Sequence, residues 1–114
     1  MKMNMDLVRA ILLNIENNEK DNLRELEIEG FTRDEIIYHC DMLDDAGMFL
    51  DYFKEYANGG VYYFTVNKLS WKGHNFLNDI RDNSKWQKVK TYIKEHALPV
   101  TIETIIAIIQ NKLG

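Results

Sequence analysis

Phe49-Leu50-Asp51-Tyr52-Phe53-Lys54-Glu55-Tyr56-Ala57-Asn58-Gly59-Gly60-Val61-Tyr62-Tyr63-Phe64-Thr65-Val66 holds two aromatic and β-branched runs parted by three turn residues. Phe49–Lys54 and Val61–Val66 read as strands, because such side chains suit a pleated, half-buried surface. Asn58-Gly59-Gly60 accepts the positive φ that a reversing chain needs. A β-hairpin is the expectation here.

Helices are expected on both sides. Before the hairpin, Leu7, Val8, Ile11, Leu12 and Ile15 fall on one arc at ~100° per residue, predicting a helix over Asp6–Asn17. Leu26 and Ile28 then alternate with Glu27 and Glu29, a short half-buried strand closed by Gly30. Thr32 and Glu35 have capping-box spacing with Phe31 outside as a staple, so a helix runs to about Ala46 and stops at Gly47. After the hairpin, Ser70 caps a helix through about Arg81, and Ser84 caps the next, which carries Trp86, Val89 and Ile93. Pro99 separates that helix from a last one over Thr101–Lys112. The fold class is therefore α+β. Its order of helix, strand, helix, hairpin and helix is that of a winged-helix domain over residues 1–82, with Thr32–Ala46 in the recognition-helix position. Residues 83–114 form a helical extension packed on it.

Composition limits the function. The chain has 114 residues, enough for one real core, and its 14 basic and 18 acidic side chains leave a net charge of −4. A generally basic nucleic-acid coat is excluded. At 46% hydrophobic and 28% charged, the chain is not disordered. Its one cysteine precludes an internal disulfide and suits a reducing compartment. Charged and polar residues interrupt the apolar opening, no targeting segment is visible, and no run reaches the ~18 apolar residues of a membrane span. A cytoplasmic location is expected, with no membrane partner.

Three pieces of wording add to the pattern. Met5-Asp6-Leu7-Val8-Arg9-Ala10-Ile11-Leu12 opens the chain, and Glu29-Gly30-Phe31 is followed by Ile37-Tyr38-His39. Leu69-Ser70-Trp71-Lys72-Gly73-His74-Asn75-Phe76-Leu77 then precedes Ile80-Arg81 and Trp86. Together these resemble a domain-of-unknown-function family of small bacterial proteins often found in phages and prophages. The likeness runs along the chain and weakens after about residue 97. It implies a winged-helix fold in a mobile-element setting, and brings no activity or site residues with it. One departure stands out: Leu23–Gly30 reads as a strand with at most one helical turn, where a helix-turn-helix has its supporting helix.

Charge is segregated. Residues 21–60 hold three bases against eleven acids, whereas residues 61–114 hold eight bases against four acids. Asp34, Glu35, Asp41, Asp44 and Asp45 occupy the expected recognition helix beside a single arginine, Arg33. Carboxylates repel phosphates, so DNA reading by that helix is disfavoured. Lys68, Lys72, Lys85, Lys88, Lys90 and Lys94 are the candidate nucleic-acid contacts, or else solvated flanks of core helices. Tyr52, Tyr56 and Tyr63 of the hairpin, with Trp71, are the candidate protein contacts. Trp71 is expected to pack on the C-terminal helices or, failing that, to mark an interface. Ile102, Ile105, Ile106, Ile109 and Leu113 form a stripe with Ile108 on its shoulder, more isoleucine than one packing surface requires. They are candidate contacts of a symmetric homodimer.

No catalytic constellation is visible. His39 and Cys40 point ~100° apart on a helix and cannot act together, and Cys40 reads as a buried inert thiol. His39, His74 and His96 lack metal-ligand spacing, and Glu25, Glu27 and Glu29 read as a solvated edge. No cofactor and no enzyme activity are expected. The leading expectation is a non-catalytic regulatory or accessory protein of phage or mobile-element type that contacts duplex DNA. The alternative is a protein-interaction module presenting its acidic helix and tyrosine wing to a host or phage protein.

Overall fold

The hairpin turn sits at Asn58-Gly59, both at positive φ (52° and 82°), as a two-residue type I′ turn requires. The computed structural model of the chain describes residues 1–18 and 23–113; the side chain of Leu113 lies outside the described residues. Among these residues the fold is a small α+β arrangement of five helices and one antiparallel hairpin. In chain order come α1 (Met5–Asn17), α2 (Arg33–Asp45), β1 (Phe53–Ala57), β2 (Gly60–Thr65), α3 (Trp71–Ile80), α4 (Asn83–Glu95) and α5 (Ile102–Ile108). A π turn over Ile109–Leu113 follows.

The local signals at the helix ends are realised as hydrogen bonds. Thr32 Oγ1 accepts the Glu35 N–H at 3.1 Å and the Glu35 carboxylate accepts the Thr32 N–H at 2.9 Å, a full capping box. Gly47, at φ 80°, ends α2, and the Met48 N–H reaches back to the Leu43 carbonyl at 3.0 Å. Ser70 caps α3 through the Gly73 N–H at 3.0 Å.

One apolar cluster runs through all the helices. It joins Leu7, Val8, Ile11, Leu12 and Ile15 of α1 to Ile36, Cys40 and Leu43 of α2, and takes Phe64 from the hairpin. Phe76, Leu77 and Ile80 continue it to Trp86, Val89 and Ile93 of α4 and to Ile102, Ile105 and Ile108 of α5. Each such side chain withdrawn from water contributes roughly 1.5–3 kcal/mol before entropy is counted. Arg9 ties α1 to the end of α3 by donating to the carbonyls of Ile80 (2.9 Å) and Arg81 (2.5 Å).

Three expectations are corrected. The Leu26–Ile28 segment joins no sheet, since among the described residues the sheet has two strands. Side chains occupy that edge of β2: Glu25 accepts the Phe64 N–H at 3.2 Å, and Arg33 donates to the carbonyls of Val61 and Tyr62. β1 starts at Phe53 instead of Phe49, because the Asp51 carboxylate takes the N–H groups of Asn67 and Lys68 where a ladder would have continued. Asp82, not Ser84, caps α4, accepting the Ser84 N–H at 3.0 Å. In the last helix Ile102, Ile105 and Ile108 are buried, while Ile106 and Ile109 are half-buried against the same cluster.

Candidate interaction surfaces

On α2 and the hairpin, the basic side chains are engaged internally. Arg33 makes a bidentate pair with Glu25, both distances 2.7 Å, as well as its two bonds to the edge of β2. Arg33 holds the Glu25 carboxyl below the ordinary carboxylate range, the Phe64 N–H assisting. Lys54, the one base of the hairpin strands, bonds Asp41 at 2.8 Å with its ammonium 5.3 Å from the Tyr56 ring centre. Asp34, Asp44 and Asp45 remain exposed. Partial burial, then the neighbouring Asp45 and Asp41 charges, raise the Asp44 carboxyl above its usual range.

The four hairpin tyrosines divide two and two. Tyr52 donates to Asp41 at 2.7 Å, and burial together with that bond drives its hydroxyl pKa upward. Tyr63 donates to the Leu23 carbonyl. Tyr56 and Tyr62 face outward at 65% and 71% exposure, beside an exposed Phe53. Tyr62 is therefore a contact candidate that sequence reasoning omitted. It is the extra residue of a β-bulge, since Glu55 pairs with Tyr63 and Tyr56 with Val61, and the bulge breaks the alternation that Phe64 would otherwise impose.

The candidate lysines do not form one surface. Lys90 bonds Asp6 at 2.9 Å, and Asp6 also accepts the Trp86 indole N–H at 3.0 Å; Lys90 keeps the Asp6 carboxyl below its usual range. Lys85, Lys88 and Lys94 are exposed and pair with no carboxylate among the described residues. Lys85 and Lys88 flank one side of the buried Trp86–Val89–Ile93 stripe and Lys94 the other, so they point apart. Lys68 and Lys72 lie at the start of α3, exposed and likewise unpaired among the described residues. Trp71 does not pack on the C-terminal helices: it is 83% exposed, leaving the interface reading.

Two titratable residues, His39 and Cys40, lie in the core. His39 Nε2 accepts the Asn4 N–H at 2.8 Å, so Nδ1 carries the proton donated to the Glu35 carbonyl at 2.7 Å. Cys40 is buried, and its thiol is pushed up to about 12 by desolvation and the nearby Asp41 and Asp44 charges. Among the described residues no group of three or more His, Cys, Asp or Glu is placed to hold a metal ion. None of their helices is long and apolar enough to cross a membrane.

These features define a small α+β domain with an acidic, aromatic face and scattered unpaired lysines. Over residues 2–99 the chain matches the family described as Hypothetical protein (DUF2513), and it belongs to that family. A Haemophilus influenzae protein carrying the name "Uncharacterized protein" is 30% identical over 113 residues, spanning 97% of this chain and 94% of its own. No solved structure matches the chain.

Proposed function

We propose that the chain is a non-catalytic regulatory or accessory protein of mobile-element type, with a winged-helix arrangement whose acidic helix and wing engage another protein. In this reading α1, α2, the hairpin and α3 are the winged-helix elements, the hairpin is the wing, and no supporting helix stands between α1 and α2 among the described residues. The observation that carries the choice of protein over DNA is the internal engagement of Arg33 and Lys54. With those two cations held by Glu25 and Asp41, the charged groups that the α2–hairpin face offers phosphates among the described residues are Asp34, Asp44, Asp45 and Glu55. It offers a protein partner the exposed rings of Phe53, Tyr56 and Tyr62. A partner surface bearing Lys or Arg complements the carboxylates.

The test sets the full chain against mixed duplex DNA over a range of salt, and against a Lys/Arg-rich peptide containing aromatic residues. The expectation is no duplex binding even at low salt, and peptide binding that Tyr62→Ala with Asp45→Lys abolishes. Duplex binding with a steep salt slope, weakened by Lys85→Glu with Lys88→Glu, reverses the reading in favour of phosphate contacts by the lysines.

A further inference from the structure

Given the protein-binding reading above, on which this rests, we infer that the groove between residues 25–31 and the start of α2 takes an extended Lys/Arg-bearing segment of the partner. That segment pairs with the backbone of residues 26–29 as an added strand. Burial follows the alternation of the sequence here: Leu26 and Ile28 pack half-buried on the core, while Glu27 and Glu29 are exposed. Residues 25–28 contain no helix, turn or bend, and the Ile28 carbonyl accepts the Phe31 N–H at 3.2 Å where the stretch closes. The N–H groups of Leu26, Glu27, Ile28 and Glu29 make no hydrogen bond among the described residues, nor do the carbonyls of Leu26 and Glu27.

An unpaired extended backbone is a template for another strand. Its edge toward β2 is taken up by Glu25 and Arg33, whose side chains bond the Phe64 N–H and the Val61 and Tyr62 carbonyls. Amides alternate between the two edges of such a chain, so part of 26–29 faces away from β2. A groove of about 570 Å³ runs along it, inside the ~300–1,000 Å³ range of clefts that bury a ligand. Leu26, Ile28, Phe31 and Ile36 give the groove an apolar lining. Its charged residues are Glu25, Glu27, Glu29 and Arg33. Arg33 and Glu25 cancel as a bidentate pair, and neither Glu27 nor Glu29 meets a cation among the described residues. Two surplus carboxylates beside an apolar lining are complemented by Lys or Arg alternating with apolar side chains, the pattern of a strand. Through Arg33 the groove adjoins the hairpin at Tyr62, so one partner reaches both.

The probe is a fluorescein-labelled peptide in which Lys alternates with Val and Phe, followed by anisotropy on the full chain. Saturable binding is expected, with slowed amide hydrogen exchange at residues 26–29 in the complex. N-methylating one of the two alternate sets of peptide amides weakens binding roughly tenfold or more, and the other set does not, because an added strand pairs along one edge. Glu27→Lys with Glu29→Lys weakens it roughly tenfold or more as well, and a peptide with Glu in place of Lys does not bind. Circular dichroism confirms that the variant is folded. Strand addition is overturned if the two methylated sets act alike, if exchange at 26–29 stays fast, or if the charge-reversed variant binds equally. Should Tyr62→Ala with Asp45→Lys still abolish binding in those cases, the protein-binding reading stands without the groove. If this peptide fails while an aromatic Lys/Arg-rich peptide binds the hairpin face, the groove alone falls; if neither peptide binds, both fall.

Discussion

Gly73→Ala sets helix propensity against packing. Gly73 lies inside α3, where alanine is intrinsically better by about 1 kcal/mol. However, a Cβ built there would stand 2.2 Å from the Met48 carbonyl oxygen and 3.3 Å from the Leu69 Cβ. Heavy atoms in contact settle at ~3.5 Å, so α3 and the Met48 backbone must part by roughly 1 Å. Met48 O also accepts the Ser70 N–H at 2.8 Å, and parting the two stretches that bond out of range. Overpacking of this kind costs about 1–3 kcal/mol and the lost bond about 1 kcal/mol. Against the propensity gain, the net expectation is a loss of about 1–3 kcal/mol. Urea unfolding followed by far-UV circular dichroism measures it as a lower midpoint at unchanged slope. Gly60→Ala is the control, because its added Cβ meets nothing within 4 Å. If Gly73→Ala instead raises the midpoint, propensity dominates and the close approach of α3 to Met48 is not a constraint.

Cys40→Ala is expected to cost about 1 kcal/mol by removing a small buried group. The native thiol should resist iodoacetamide at about pH 8, alkylating only on unfolding; rapid native reaction contradicts its burial. Because its folded pKa is raised from 9.0 to about 12, its contribution is intact below pH 9 and is lost as pH rises toward 12, an alkaline decline that Cys40→Ala should flatten. Asp44 is also raised, so its charge destabilises the fold at neutral pH and protonation relieves this as pH falls. It lies in the last turn of α2, where the helix dipole disfavours anions, and Asp44→Asn should stabilise by about 0.3–1 kcal/mol in a thermal melt. Glu16 is lowered from 4.5 by Arg81, so its stabilisation is present above pH 4.5 and lost as pH falls through its folded value. Glu16→Gln should therefore flatten the acid limb of a stability–pH curve, and only slightly, the pair being partly exposed and screened by salt.

Local signals carried most of the fold. The α2 cap needs only Thr32 and Glu35, the hairpin reversal only Asn58 and Gly59, and each helix stripe can be read within one turn of itself. The departures come from side chains that reach across the sequence. Leu26-Glu27-Ile28-Glu29 alternates as a strand would, but alternation reports which side chains face the core, not whether the backbone finds a ladder. Here Glu25 and Arg33 occupy the β2 edge that such a ladder needs, which also protects that edge from pairing with another chain. Asp51 displaces the start of β1 in the same manner.

The candidate surfaces were legible by residue type and not by residue. Tyrosines in the hairpin and lysines after it could be read from the sequence, yet their availability depends on partners far along the chain. Asp41 holds Tyr52 and Lys54, the Leu23 carbonyl holds Tyr63, and Asp6 holds Lys90 from 84 positions away. Internal pairing sharpens the charge division as a result. Removing Arg33 and Lys54 leaves the α2–hairpin face without a free cation among the described residues, whereas Lys68 and Lys72 at the start of α3 keep theirs. The carboxylates left on that face are the physical ground for proposing a basic protein surface as the partner of α2 and the hairpin tip.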